Sequence, residues 1–118
     1  MENIDFAYLL FSFEGRINRA KFWLGVAIIY VVPWLFFILA AATNSSFLYI
    51  LAGLIVILSI WPGLAVSIKR WHDRGKSGWW ILIGFVPLIG GIWALIETGF
   101  LPGTPGPNEY GPDPLLIP

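Results

Sequence analysis

Three long apolar segments, none of which contains a charged residue, dominate the hydropathy pattern of the chain. They cover residues 22–42, 47–68 and 79–96 and contain 21, 22 and 18 residues. About 20 apolar residues in an α-helix, which rises 1.5 Å per residue, cross a hydrocarbon core of roughly 30 Å. No strand-like alternation is present, and a backbone in hydrocarbon must satisfy its own hydrogen bonds. The pattern predicts an all-α membrane protein with three transmembrane helices, at about 22–42, 47–68 and 79–97.

The segments outside these runs predict a short surface helix and an irregular tail, within a single membrane domain of residues 1–118. Residues 2–13 are apolar with the acidic residues Glu2 and Asp5 at one end, which favours an interfacial helix over residues 3–11. Residues 98–118 contain six of the nine prolines and predict an extended Pro/Gly-rich C-terminal tail. Asn18 and Ser77 are predicted N-caps of the first and third helices, and Gly75 is a predicted helix-ending residue.

One proline interrupts each apolar run. Pro33, Pro62 and Pro87 each lack an N–H and crowd the carbonyl four residues earlier, so each predicts a kink that neighbouring helices tolerate. A hinge lining a transport pathway is the alternative interpretation, although no run contains an ionisable residue. Trp34 and Trp61 lie beside two of these prolines, and we expect their indole N–H groups to bond the freed carbonyls.

Composition supports the membrane class and excludes several kinds of chemistry. The chain is 58% hydrophobic and only 12% charged, whereas soluble proteins average about 25% charged residues. The absence of cysteine excludes disulfides, thiolate metal sites and cysteine nucleophiles. The net charge is zero, so no overall electrostatic field favours nucleic acid, and we predict no nucleic-acid partner.

The distribution of charge predicts an orientation. All seven Lys and Arg residues lie in two segments, residues 16–21 before the first run and residues 69–76 between the second and third. Cations in short loops favour the cytoplasmic side. With three crossings, the N-terminus is then cytoplasmic and the C-terminus lies outside. Glu97, at the end of the third run, is predicted to reach the headgroup region on that outer side.

The same cations are candidate ligands for lipid. One interpretation is that they serve only as a topology signal. The other is that five of them converge into one cytoplasmic site for anionic headgroups, to which the start of the third helix adds free N–H groups. These five residues are Arg16, Arg19, Arg70, Arg74 and Lys76. Lys69 and Asp73 are also spaced for a helical ion pair.

No motif predicts catalysis. Residues 75–77 resemble the end of a P-loop, but Arg70 occupies the position where that motif needs glycine. His72 is the only histidine and lies in a predicted surface loop, so neither a metal centre nor a catalytic triad is predicted. An enzyme would require His72, Asp73 and Glu14 to converge. We therefore predict no catalytic residue, no cofactor and no metal.

Three motifs resemble those of a known family. Residues 13–23 read FEGRINRAKFW, residues 69–80 read KRWHDRGKSGWW, and residues 102–114 read PGTPGPNEYGPDP. In this order they resemble the domain-of-unknown-function 805 family of small bacterial inner-membrane proteins, over about residues 11–114. The resemblance implies a bacterial inner (plasma) membrane location and a multi-pass architecture, and it transfers no catalytic residue.

These observations predict a non-enzymatic inner-membrane component that binds anionic lipid headgroups, or a protein partner, through its cytoplasmic face. The alternative is a subunit of a small oligomeric transporter or channel, because a single copy supplies no polar route. Polar residues lining a cavity between the helices would favour transport, whereas a dry, apolar bundle would not.

Overall fold

The computed structural model describes residues 4–116, and this part of the chain is helical. Its only β-type pairing is an isolated bridge between Asn108 and Gly111. The all-α prediction is therefore confirmed for the described residues. The α-helices are α1 (Phe6–Phe11), α2 (Arg19–Thr43), α3 (Ser46–Leu58), α4 (Ile60–Asp73) and α5 (Ile89–Leu95), with a 3-10 helix (Gly78–Phe85) before α5 and a π-helical turn (Ile96–Phe100) after it.

Two helical segments are long and apolar enough to cross a membrane. They are α2, with 25 residues, and the combined α3–α4 segment Ser46–Asp73, with 28 residues. Asn44, in the left-handed region at φ 53°, and Ser45 form the tight connection between them. These two segments cover the first two predicted transmembrane helices, each extended by a few residues. Asn18 caps α2 as predicted, since its side chain accepts a 2.8 Å hydrogen bond from the Lys21 N–H.

The first two prolines have different structural outcomes. Pro33 lies inside α2 without ending it. Pro62 lies in the first turn of α4, and its missing N–H accounts for the interruption at Ser59 between α3 and α4. The indole N–H of Trp61 donates to the carbonyl of Phe11, at 2.9 Å, so the role predicted for Trp61 is wrong.

The third apolar run differs most from the prediction. It forms the 3-10 helix, a turn at Val86–Leu88, the short α5 and the π-helical turn. A continuous transmembrane helix over 79–97 is therefore not confirmed. Pro87 lies in the turn, where it cannot continue a helix. Ser77 acts as the predicted N-cap, but of the 3-10 helix, with its hydroxyl accepting from the Trp79 N–H at 3.2 Å.

The short helix α1 packs against the end of α4. It begins after Asp5, whose carboxylate accepts a 3.1 Å hydrogen bond from the Tyr8 N–H. The helix predicted over residues 3–11 is shorter in the structure, because residues 4 and 5 precede α1 and residue 3 lies outside the described residues. A small apolar core then forms where α1, α2 and α4 meet, and it consists of Leu9, Ile17, Phe22 and Val66.

The tail folds back onto the basic segments. The Thr104 N–H donates to the carbonyl of Asp73 at 2.7 Å, and the Asn108 side chain donates to the carbonyl of His72 at 2.9 Å. The described tail therefore lies on the same side of the molecule as the cations. This contradicts the prediction that the tail lies across the membrane from them; the predicted tail also included residues 117 and 118, which lie outside the described residues.

Candidate functional site

A charged layer joins the ends of α2 and α4 to the π-helical turn and the tail. We call it the polar layer. It contains five cations and two carboxylates, which are Arg16, Arg19, Arg70, Arg74, Lys76, Asp73 and Glu97. All five candidate lipid-binding residues therefore come together in one region, although their surroundings differ.

Asp73 lies at the centre of the polar layer between two arginines. Its carboxylate accepts from Arg16 at 2.9–3.0 Å and also pairs with Arg70, one helical turn earlier on α4. All three side chains are buried. A carboxylate shared by two buried guanidinium groups compensates part of the cost of removing the charges from water. Asp73 therefore does not pair with Lys69, contrary to prediction.

Arg16 attaches the tail to this centre. Its guanidinium donates to the carbonyls of Thr104 at 2.6 Å, Gly106 at 2.8 Å and Gly111 at 3.2 Å. Gly103 brings the tail backbone into contact with Asp73, because a Cβ on Gly103 would lie 2.1 Å from an Asp73 carboxylate oxygen. The glycine-rich tail thus supplies the carbonyl acceptors that a buried arginine requires.

Arg70 attaches the π-helical turn to α4. Its Nε donates to the carbonyl of Thr98 at 2.6 Å, and its second terminal nitrogen donates to the carbonyl of Leu101. Together with Asp73, these partners satisfy every nitrogen of a fully buried guanidinium. Every guanidinium nitrogen of Arg16 and Arg70 therefore has a hydrogen-bond partner within the protein, and we assign these two residues a structural role.

Glu97 forms a second carboxylate centre. It pairs with Lys76 at 2.5 Å and with Arg74 at 3.4 Å, and the indole N–H of Trp93 donates to it at 2.9 Å. The side chain is buried. The prediction that Glu97 reaches headgroups on the outer side is therefore wrong, because it lies among the cations that were predicted to be cytoplasmic.

The remaining cations lie at the rim of the polar layer. Arg19 is exposed and donates to the carbonyl of Phe100 at 2.7 Å. The side chains of Arg74 and Lys76 retain 24% and 30% of their accessible surface. Lys76 also lies over the ring of Trp80, with its nitrogen 4.6 Å from the ring centroid. These three cations can reach an external anion, whereas Arg16 and Arg70 cannot.

Lys69 is fully buried beside the layer and has a different set of partners. Its ammonium group donates to the carbonyls of Tyr8, Leu9 and Ser12, with distances of 2.7 Å to the last two. These carbonyls lie at the C-terminal end of α1, where carbonyls lack partners within the helix. The Tyr8 carbonyl also accepts from the Ser12 N–H at 3.3 Å. Lys69 therefore attaches α1 to α4, which the sequence spacing alone did not indicate.

His72 belongs to the packing of the tail. Its ring stacks on Tyr110 with centroids 3.9 Å apart, and its Nδ1 lies 3.0 Å from the carbonyl of Gly15. A catalytic site was predicted to require His72, Asp73 and Glu14 to converge. The Asp73 carboxylate is instead paired with two arginines. Between residues 4 and 116, no three histidine or acidic side chains lie close enough together to hold a metal ion.

Two local features complete the attachment of the loop and the tail. Gly75 ends α4 with a φ of 80°, as predicted, and the Lys76 N–H donates to the carbonyl of Trp71 at 2.9 Å. Asp113 accepts from the backbone N–H groups of Leu115 and Gly106, at 2.9 Å each. These hydrogen bonds stabilise the carboxylate and lower the pKa of Asp113 below its ordinary value.

Comparison with known families agrees with the three sequence motifs at residues 13–23, 69–80 and 102–114. The family described as "Protein of unknown function (DUF805)" matches residues 10–112, which include both basic segments and most of the tail. The chain belongs to the DUF805 family. No solved structure matches this DUF805 chain.

Curated relatives of this DUF805 chain occur in Escherichia coli (strain K12). The chain is 32% identical to "Inner membrane protein YhaH", an alignment covering 91% of this chain and 90% of the relative, and 35% identical to "Inner membrane protein YhaI", covering 87% and 86%. It is 33% identical to "Uncharacterized protein YiiR", covering 88% and 86%. With its two long apolar helices, this DUF805 chain is a bacterial inner-membrane protein, which confirms the predicted family and membrane.

Proposed function

We propose that this protein is a non-enzymatic inner-membrane component whose cytoplasmic face binds anionic lipid headgroups. Its orientation follows from the two basic segments, which meet in one polar layer and favour the cytoplasmic side. The described N-terminal segment and the tail are then both cytoplasmic. This orientation replaces the predicted outer location of the tail.

The observation that carries the proposal is the excess of accessible cations in the polar layer. Asp73 pairs with Arg16 and Arg70, and Glu97 pairs with Arg74 and Lys76, so each of these carboxylates has two cationic partners. The cations at its rim are Arg19, Arg74 and Lys76, which keep contact with the exterior. A cation at the membrane surface gains roughly 1 kcal/mol from anionic lipid. The proposed headgroup site therefore consists of these three side chains, and Arg16 and Arg70 support it.

The grooves between the helices favour this function over transport. A groove of about 840 Å³ lies between α2 and the α3–α4 segment, and apolar side chains form most of its lining, among them Ile29, Trp34, Phe37 and Val56. Within residues 4–116, the apolar runs contain no buried charged side chain along such a groove. An apolar groove provides no hydrated route for an ion or a polar solute.

The direct test is the lipid selectivity of the purified protein. The protein is reconstituted into nanodiscs that contain equal amounts of phosphatidylglycerol and phosphatidylcholine, and the lipids it retains are counted by native mass spectrometry. We expect phosphatidylglycerol to be enriched, and the enrichment to decrease with rising salt because exposed charges are screened. Equal retention of both lipids would reject the proposal, and co-purification of a protein in place of lipid would favour the protein-partner alternative.

A pair of variants at Arg74 separates charge from packing. Arg74→Gln should reduce phosphatidylglycerol enrichment by roughly fivefold, which corresponds to the loss of about 1 kcal/mol for one surface cation. Arg74→Lys keeps the charge and should retain most of the enrichment. Equal losses in both variants would mean that the guanidinium acts through its hydrogen bond to the Pro102 carbonyl, at 2.5 Å, and not through lipid.

A further inference from the structure

We infer that residues 78–100 form a re-entrant hairpin, which enters the cytoplasmic leaflet from the polar layer, turns at Pro87–Leu88 and returns, with the acyl chains of that leaflet as its partner. The inference uses the proposed orientation of the polar layer, but it does not depend on headgroup binding. It implies two complete crossings of the membrane, by α2 and by the α3–α4 segment.

The two arms of the hairpin pair in an antiparallel register. Lys76 and Glu97 form an ion pair at 2.5 Å at the base. Four residues further along each arm, Trp80 and Trp93 stack with ring centroids 6.4 Å apart. Three residues further again, Gly90 lies against the carbonyl of Ile83, and a Cβ on Gly90 would be 1.8 Å from that oxygen. Equal steps along both arms are the signature of a chain that reverses direction.

The reversal is a tight turn in which most backbone donors bond to carbonyls of the hairpin itself. The Ile89 N–H donates to the carbonyl of Pro87 at 2.7 Å, and Leu88 between them has a φ of 63° and a ψ of −65°, which is a γ-turn. The N–H groups of Val86 and Gly90 donate to carbonyls within the hairpin at 3.0 Å each, and Pro87 has no N–H. Hydrocarbon admits backbone only when its polar groups have internal partners. The N–H groups of Val86, Ile89 and Gly90 meet that requirement, and among the described residues the Leu88 N–H is the tip donor without a backbone partner.

Both ends of the hairpin are attached at the level of the polar layer. At the returning end, Arg70 bonds the Thr98 carbonyl at 2.6 Å, Trp23 bonds the Gly99 carbonyl at 2.8 Å, and Arg19 bonds the Phe100 carbonyl at 2.7 Å. At the entering end, the ring of Trp80 stacks on the buried Trp71 of α4, with centroids 5.9 Å apart. The segment therefore leaves the cation-bearing side and comes back to it.

The length of the entering arm fits one leaflet. The 3-10 helix has eight residues, and at about 2.0 Å per residue it extends roughly 16 Å. Half of a hydrocarbon core of about 30 Å is roughly 15 Å. The tip therefore reaches the middle of the bilayer and does not approach the opposite headgroups.

The side chains at the tip select an apolar partner. Phe85 is 81% exposed and Leu88 is 84% exposed, and Ile89 beside them is also mostly exposed. Between residues 77 and 96 the hairpin contains no ionisable side chain. The exposed side chains of α2 and α3 are apolar in the same way. Acyl chains are the apolar partner that suits the tip, and the cations at the base of the hairpin suit the headgroups of the same leaflet.

A matched pair of glycine variants tests the antiparallel pairing. Gly90→Ala places a methyl group against the Ile83 carbonyl, whereas the same change at Gly91 meets open space. We expect Gly90→Ala to separate the arms and remove the near-ultraviolet circular dichroism signal of the stacked Trp80 and Trp93, and Gly91→Ala to retain that signal. Equal signals in the two variants would overturn the pairing.

Single-cysteine mapping tests the hairpin even if Gly90→Ala does not fold, because the chain contains no cysteine. Ser46→Cys, Leu88→Cys and Glu109→Cys are treated with a membrane-impermeant maleimide in spheroplasts and in inverted vesicles. We expect Ser46→Cys to react only from the periplasmic side, Glu109→Cys only from the cytoplasmic side, and Leu88→Cys from neither. The experiment does not involve lipid selectivity, so it can fail while headgroup binding stands.

Three outcomes would overturn the inference. Reaction of Ser46→Cys and Glu109→Cys from the same side would mean that the third run also crosses the membrane. The chain would then cross three times and have no re-entrant hairpin. Reaction of both from exchanged sides would overturn the choice of leaflet, and with it the proposed orientation. Oxidative crosslinking of Leu88→Cys between two molecules would identify a second copy of the chain, and not lipid, as the partner of the tip.

Discussion

The two apolar spans and the polar layer use burial in opposite ways. On α3, Ile50 is 73% exposed, whereas Arg70 in the polar layer is completely buried. In water this arrangement would be unfavourable for both regions. In a bilayer it is consistent, because lipid covers the apolar helices while the charges find their partners within the protein. The comparison indicates that internal polar contacts specify the tertiary structure and that the spans depend mainly on lipid.

The largest effect is expected from Asp73→Asn in the polar layer. This change removes the carboxylate between Arg16 and Arg70 and leaves two buried guanidinium groups underneutralised. Removing one partner of a buried ion pair costs about 3–5 kcal/mol. We expect a loss of this size in the free energy of unfolding, measured by titration with sodium dodecyl sulfate. Glu109→Gln, at an exposed position in the tail, is the control and should have almost no effect.

Lys69→Met tests the attachment of α1 and should have the next largest effect. It removes the Lys69 donor from the carbonyls of Tyr8, Leu9 and Ser12, and of these the Tyr8 carbonyl keeps its bond from the Ser12 N–H. Each unsatisfied buried polar group costs about 1–3 kcal/mol, and partial relaxation should limit the total to about 2–3 kcal/mol. Hydrogen exchange of residues 6–11 should accelerate. Unchanged exchange would contradict the role of Lys69, and Lys21→Met, at a partly exposed position, serves as the control.

Gly103→Ala tests the contact between the tail and the centre of the polar layer. The added methyl group would lie 2.1 Å from a carboxylate oxygen that two arginines hold in place. Overpacking of this kind costs about 1–3 kcal/mol. The tail should become more accessible to limited proteolysis near residues 104–111. Gly63→Ala in α4 meets no neighbour within 4 Å, and equal proteolysis of the two variants would exclude this contact.

The smallest effect is expected on the span. Ile50→Ala removes three carbon atoms from a side chain that mostly faces lipid, and lipid can fill the vacated space. The cost should stay below about 1 kcal/mol, compared with 2–5 kcal/mol for a buried isoleucine in a soluble protein. Detergent titration should place this variant close to the wild type. A loss comparable to that of Asp73→Asn would remove the distinction between the two regions.

The local features of the fold could be predicted because short-range chemistry determines them. The first two apolar runs form the two long helices, and Asn18 and Ser77 cap their helices through their own side chains. Gly75 ends α4 in the left-handed conformation. The convergence of the basic segments was also predicted, since one precedes the first apolar run and the other follows the second, and two crossings return the chain to the same side.

The third run and the tail could not be predicted from hydropathy. An apolar segment of 18 residues has the same hydropathy whether it crosses the bilayer once or enters and returns. Pro87 and Gly90 were the available signals, but proline also occurs in continuous transmembrane helices. The partners of Arg16 and Arg70 are mainly backbone carbonyls, which every residue carries, so no side-chain pattern in the tail indicates where it docks.

The orientation of the tail tests the central claim most directly, because it reports whether the third run crosses the membrane. Green fluorescent protein, which fluoresces in the cytoplasm, and alkaline phosphatase, which is active only outside it, are fused in turn after Pro118. With two crossings and a re-entrant hairpin, the first fusion should be fluorescent and the second inactive. An active phosphatase fusion together with a dark fluorescent-protein fusion would mean three crossings and would contradict the account.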